Sequence, residues 1–112
     1  MDRNSIILKK MLEEIEYLEG YIKDFDFDVF MQAEDKKRVV AMTLINIGEL
    51  VRHLTKDFRK AAADLPFDDA IGLRDIAAHG YKSLKFERIW NTVKIDIPDI
   101  KTKIEKLLLS SK

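Results

Sequence analysis

The strongest constraint on this chain is the spacing of its apolar residues. From Ser5 to Phe25, Leu8, Leu12, Ile15, Leu18, Ile22 and Phe25 recur at steps of three and four, which gathers them on one face of a helix of period 3.6. Lys9, Lys10, Glu13, Glu16 and Lys23 fall on the opposite, solvated face. The pattern returns over residues 34–54, where Val40, Leu44, Ile47, Val51 and Leu54 form an inward stripe that Val39, Met42 and Leu50 widen. A stripe that wide implies burial on more than one side. No segment alternates with the period of two that a half-buried strand shows.

Between these two helices, the run Asp24-Phe25-Asp26-Phe27-Asp28-Val29-Phe30 breaks the periodicity. It reads as a turn followed by a short helix capped by Asp26, with its phenylalanines plugging one end of the core. A short helical segment over 57–63 stops before Leu65-Pro66, because the residue preceding a proline is pushed away from helical angles. Phe67-Asp68-Asp69 starts a third main helix that ends near His79, with Gly80 as its left-handed cap. Ser83 caps a further helix through Trp90 to Ile97, and Pro98 opens a last one through Leu109. Short connections favour antiparallel neighbours, so the expected fold is all-α, an antiparallel four- to five-helix up-and-down bundle in a single domain over 1–112.

Composition narrows what such a bundle can do. The chain has no cysteine, which removes disulfides, thiolate zinc sites and a Cys nucleophile from consideration and suits a reducing compartment. No apolar run approaches the roughly 20 residues that span a bilayer, and the first residues lead directly into an amphipathic pattern, so a cytoplasmic protein without membrane attachment is expected. Twenty basic residues balance twenty acidic ones. The whole-molecule field therefore gives no steering toward nucleic acid, and any such contact needs a local patch.

Chemistry concentrates at His79. This residue falls at the last turn of its expected helix, where the helix dipole favours imidazolium. Asp75, four residues earlier, shares its face and can hold one ring nitrogen while the other exchanges a proton. Arg74 lies about 140° round an ideal helix from His79, so the two converge on one ligand only if the helix unwinds or a second chain contributes. Residue types alone leave a second reading open, in which His79 and Asp75 form a helix cap with a salt link. His53, among Arg52, Thr55 and Lys56, reads as an ordinary surface residue.

The string Ile71-Gly72-Leu73-Arg74-Asp75-Ile76-Ala77-Ala78-His79-Gly80-Tyr81 resembles the signature of the HepT-like (DUF86) branch of the HEPN superfamily, an Arg, a short spacer and a His often followed by x-Tyr. Ile47-Gly48-Glu49, Leu65-Pro66, Ile89-Trp90 and Asp96-Ile97-Pro98 are similar to the same family, so the likeness covers nearly the whole chain. Family members commonly carry Asn after the motif Arg, where this chain has Asp75.

That resemblance implies a metal-independent endoribonuclease needing no cofactor, a toxin that works as a homodimer with its cleft at the interface. Its usual partner is a MntA-like minimal nucleotidyltransferase antitoxin. Carried onto this sequence, the resemblance gives His79 as general base or acid, Arg74 as phosphate clamp, and Tyr81 as the hydroxyl that the partner modifies with AMP. A planar guanidinium fork suits phosphate oxygens better than a lysine does. Glu49 is expected at the border of the cleft, and Lys82, Lys85 and Arg88 as a local basic patch for RNA. Phe86 and Trp90 read as core residues before base-stacking platforms. The alternative is a noncatalytic helical module that binds a nucleotide or the partner in the same cleft, and a purely structural dimeric bundle is a third reading.

Overall fold

The computed structural model describes residues 2–62, 72 and 85–110. Every regular element among them is helical: α1 (Arg3–Ile22), α2 (Phe27–Gln32), α3 (Glu34–Arg52), α4 (Lys56–Ala61), α5 (Phe86–Asn91) and α6 (Ile97–Ser110), with a π-helical turn (Thr92–Asp96) joining the last two. The expected all-α bundle is therefore observed. The helix expected over 67–79, its Gly80 cap, the Leu65-Pro66 stop and the Ser83 cap lie outside the described residues.

Helix α1 begins earlier and ends sooner than its apolar pattern suggests. Asp2 is the N-cap, its Oδ1 accepting from the Ser5 backbone N–H at 2.8 Å, and this hydrogen bond holds the Asp2 carboxyl below its ordinary value. The helix stops at Ile22, and the chain turns through Lys23 and Asp24. Phe25 thus packs on the core from outside the helix. Asp26 caps α2 as expected, Oδ1 accepting from the Val29 N–H at 3.0 Å. Of the phenylalanines in this run, Phe30 is the true plug, completely buried, whereas Phe27 remains 38% exposed.

The core is a seam between α1 and α3, which pack together more extensively than any other pair of described elements, with α6 laid against α1. Met11, Ile15 and Leu18 from α1 meet Val40, Leu44, Ile47 and Val51 from α3, and Ile97, Ile100 and Ile104 from α6 join the same cluster. The two long helices run antiparallel, since the start of α1 touches the residues just beyond α3. There Asn4 Nδ2 donates to Thr55 Oγ1 and Asn4 Oδ1 accepts from the Thr55 N–H, both at 3.1 Å. Thr55 Oγ1 also accepts from the Phe58 N–H at 3.2 Å, capping α4. One side chain of α1 thereby fixes the corner from which α4 leaves.

One expectation is corrected. Met42, read as part of the inward stripe, is 57% exposed, and Val39 and Leu50 are only partly covered. At 100° per residue, a stripe that includes Met42 is wider than one neighbour can cover. Pro98 stands in the first turn of the last helix, α6, as expected; α5, the π turn and α6 follow one another without a break, as one rod. In a regular α-helix the proline ring would strike the carbonyl of Lys94 four residues back. The wider π turn, in which the Ile97 N–H reaches back to the Thr92 carbonyl, absorbs that demand without breaking the rod.

Because Ile15 is completely buried in the seam, Ile15→Ala is expected to lower unfolding free energy by about 3 kcal/mol through lost transfer energy and an unfilled cavity. Urea denaturation followed by circular dichroism measures this. A loss below about 1 kcal/mol would show that the seam collapses around the gap.

Candidate functional site

The residues with the strongest chemical reading, Arg74, Asp75, His79, Tyr81 and Lys82, lie outside the described residues. Gly72, just upstream of them, is helical and half-buried, and a Cβ built on it would meet nothing within 4 Å. On either side, the described chain supplies what flanks the motif: Ala62, buried as the C-cap of α4, and Lys85, exposed as the N-cap of α5.

The predicted accessory residues divide between two elements. Glu49 sits in the last third of α3, partly exposed, with Arg52 Nη1 donating to its Oε1 at 3.5 Å. At that length, between partly exposed side chains, the pair is a loose electrostatic contact. Lys85 and Arg88 are exposed at the start of α5. Trp90 and Phe86 are core elements as expected: Trp90 is 8% exposed, and Phe86 packs against the core beside Phe30, ring centroids 6.1 Å apart.

Glu49 is also part of a groove whose other members the sequence reading passed over. A recess of about 400 Å³ between α1 and α3 is lined by Lys10, Asn46, Glu49, Leu50 and His53, among others. It runs into a second recess of about 520 Å³ that holds Tyr17, Arg38, Val39, Met42 and Thr43. Glu13, Glu14 and Asn46 line both, so one furrow follows the α1–α3 seam on its outer side. His53 is exposed, in agreement with its reading as a surface residue, and it caps α3 at the Glu49 end of this furrow.

Burial shapes the furrow's chemistry. Thr43 is 3% exposed and satisfies its hydroxyl by donating to the Val39 carbonyl at 2.8 Å, which leaves its methyl group to present an apolar surface. Tyr17 and Met42 are each 57% exposed. The furrow is apolar at the Met42 end and charged at the Glu49 end. Periodicity could have exposed this division, since Met42 lies off the axis of the stripe that Val40, Leu44, Ile47 and Val51 define. No helix among the described residues is long and apolar enough to cross a membrane.

Comparison with known proteins places nearly the whole chain in one family. The family described as ribonuclease HepT-like matches residues 11–107, a span that includes Glu49, the whole of Arg74–Tyr81 and the basic residues after it. A protein of Methanocaldococcus jannaschii named Putative RNase MJ0125 is 32% identical over 101 residues, covering 90% of this chain and 87% of its own. Putative RNase TTE0752 of Caldanaerobacter subterraneus subsp. tengcongensis is 30% identical, covering 94% of both chains. The Probable ribonuclease HepT of Thermococcus cleftensis is 31% identical, covering 89% of this chain and 91% of its own. No solved structure matches. With a match across nearly its full length and relatives of its own size, the chain belongs to the ribonuclease HepT-like family, in the HEPN superfamily.

Proposed function

We propose that this protein is a metal-independent endoribonuclease that cleaves RNA as a homodimer, with Arg74 and His79 at its centre. The observation that carries the reading is the family match over residues 11–107, a span that contains Arg74, His79 and Tyr81. The relatives described above, from three organisms, carry ribonuclease names.

The chemistry follows from the residue types. Attack of a ribose 2′-hydroxyl on the adjacent phosphorus requires a base to take the hydroxyl proton, an acid to protonate the departing 5′-oxygen and a cation for the charge on the phosphorane. His79 supplies base or acid, and the second copy supplies the complementary imidazole. Arg74 grips two phosphate oxygens with its fork. Asp75 holds the His79 ring from the same helical face. The step leaves a 2′,3′-cyclic phosphate on one fragment and a 5′-hydroxyl on the other, with the proton transferred between the two oxygens. Lys82, Lys85 and Arg88 contact the flanking phosphates, and Glu49 borders the cleft.

The exposed end of the α1–α3 furrow supports the dimer. Tyr17 and Met42 leave apolar surface in water, and a twofold pair through this face would bury the same patch on both copies. A dimer through this face also draws Glu49, at the other end of the furrow, toward the shared boundary. In this reading the protein is the toxin of a toxin-antitoxin pair. A minimal nucleotidyltransferase antitoxin silences it by transferring AMP to the Tyr81 hydroxyl, placing bulk and negative charge where the RNA phosphate must sit.

Two measurements test these assignments. Purified protein is expected to cleave single-stranded RNA in excess EDTA, and His79→Ala and Arg74→Ala are each expected to slow cleavage at least about 100-fold. Equal rates for wild type and His79→Ala would remove the imidazole from the mechanism, and binding without any cleavage would make the protein a noncatalytic binding module. In sedimentation velocity the wild type is expected to run as a dimer and Met42→Glu as a folded monomer, because Met42 contributes little to the core of one chain. A wild-type monomer at all accessible concentrations would sink the homodimer.

A further inference from the structure

A second concave surface lies away from the α1–α3 furrow. The C-terminal half of α1, the 23–26 turn, the start of α2 and the α5–π–α6 rod enclose an open cleft of about 900 Å³. Its aromatic wall is built from Phe25 and Phe27 on Trp90, with centroid distances of 6.0 and 6.2 Å. Trp90 is anchored in turn on buried Phe30 at 4.9 Å. Phe27, 38% exposed, is therefore a rigidly backed ring with one side in solvent.

Charge is placed around this wall with some of it already spoken for. Lys101 Nζ donates to Glu19 Oε1 at 2.9 Å, and that hydrogen bond together with the Glu19 charge holds the lysine above its ordinary value. Asp26 is occupied as the cap of α2. Lys94 reaches the edge of the cleft from the π turn, its Nζ 5.6 Å from the Trp90 ring centroid, and Lys23 lines the α1 side. Glu16 adds one acceptor.

Gly20 is the second, independent observation. It sits inside α1, where glycine costs about 1 kcal/mol relative to alanine. Packing does not require it, because a Cβ there would meet nothing within 4 Å. What a side chain at this position would occupy is the cleft itself, which Gly20 lines. An unforced helix glycine beside a backed aromatic ring, with two lysines at the rim, is the arrangement of a site kept open for a flat, anionic ligand.

We propose that this cleft binds one unpaired nucleobase with its phosphate, the base stacked on Phe27 and the phosphate held by Lys23 and Lys94. Sequence-tolerant stacking on aromatic rings flanked by cations is how single-stranded nucleic acid is held without base pairing, and Glu16 favours bases that carry an exocyclic amino group. The nucleotide comes either from an RNA strand passing to the Arg74–His79 centre, a source that rests on the ribonuclease reading, or from a free mononucleotide.

Trp90 is the sole tryptophan and lines the cleft, so its fluorescence reports occupancy without any need for cleavage. The full-length His79→Ala protein would be titrated with AMP, with ribose 5-phosphate and with a short 2′-O-methyl oligonucleotide. Saturable quenching by AMP or the oligonucleotide but not by ribose 5-phosphate is expected. Tighter binding of the oligonucleotide assigns the cleft to the RNA path, and AMP binding at least as tightly assigns it to a free nucleotide. Phe27→Ala is expected to weaken binding roughly tenfold. Gly20→Leu is expected to abolish it while leaving the melting temperature unchanged or raised, since leucine is the better helix former. The absence of quenching by both nucleotide probes, or undiminished quenching in Gly20→Leu, would overturn the proposal. Because the reporter is independent of catalysis, a protein that binds but never cuts RNA would refute the ribonuclease reading and leave the cleft assignment standing.

Discussion

The apolar seam between α1 and α3 is the contact on which the rest of the described bundle depends, because the furrow follows it and α6 is laid against α1. Met11, Ile15 and Leu18 are buried against Val40, Leu44, Ile47 and Val51, which fixes both the distance between the helices and their rotation about their own axes. Once the rotation is fixed, Glu49 must fall at the flank of the seam and Met42 outside it. The Asn4–Thr55 hydrogen bonds then lock the antiparallel register at one end. Polar contacts of this kind add little net energy compared with the seam, but they have directional requirements that apolar packing lacks. They determine where α4 departs toward the motif segment.

Much of this architecture is legible in the residues. The stripe of α1 from Leu8 to Ile22 and that of α3 from Val40 to Leu54 can be read off at helical spacing, and the cap at Asp26 is visible because an acidic residue stands directly before a short apolar run. What fails to be legible has identifiable causes. Asp2 caps α1 ahead of any apolar signal, so the helix start is displaced from where periodicity begins. Pro98 marks the start of the last helix, but the π turn that joins it to α5 is a property of backbone hydrogen bonding and leaves no residue pattern of its own. Met42 is apolar at a position that the single-chain core does not use, and sequence cannot distinguish a residue covered by its own chain from one available to a second.

The candidate sites show the same asymmetry. Arg74, His79 and Tyr81 fall within one short stretch of the chain, so a local string is enough to mark them. Gly20 and Phe27 lie on two neighbouring helices and Lys94 far along the chain from both, and no spacing rule links the three. Gly20 reads as a mild helix defect, Phe27 as core and Lys94 as solvated charge. Only their convergence on one cleft gives them a common explanation.

The two surfaces also make physical sense together. A protein with no net charge has no whole-molecule attraction for a polyanion, so a strand cut in the way proposed would be held by local contacts, such as those proposed for Lys82, Lys85 and Arg88. Productive geometry then depends on short-range contacts outside the reacting group, whose binding energy positions the strand. Stacking suits that task because it tolerates any base and is less sensitive to salt than phosphate contacts are. The aromatic wall is rigid for a structural reason: Phe25 and Phe27 lean on Trp90, and Trp90 leans on Phe30 in the core. The same packing that closes the end of the bundle presents a fixed ring to solvent, so the entropy of ordering the platform is already spent in folding and need not be spent again on the ligand.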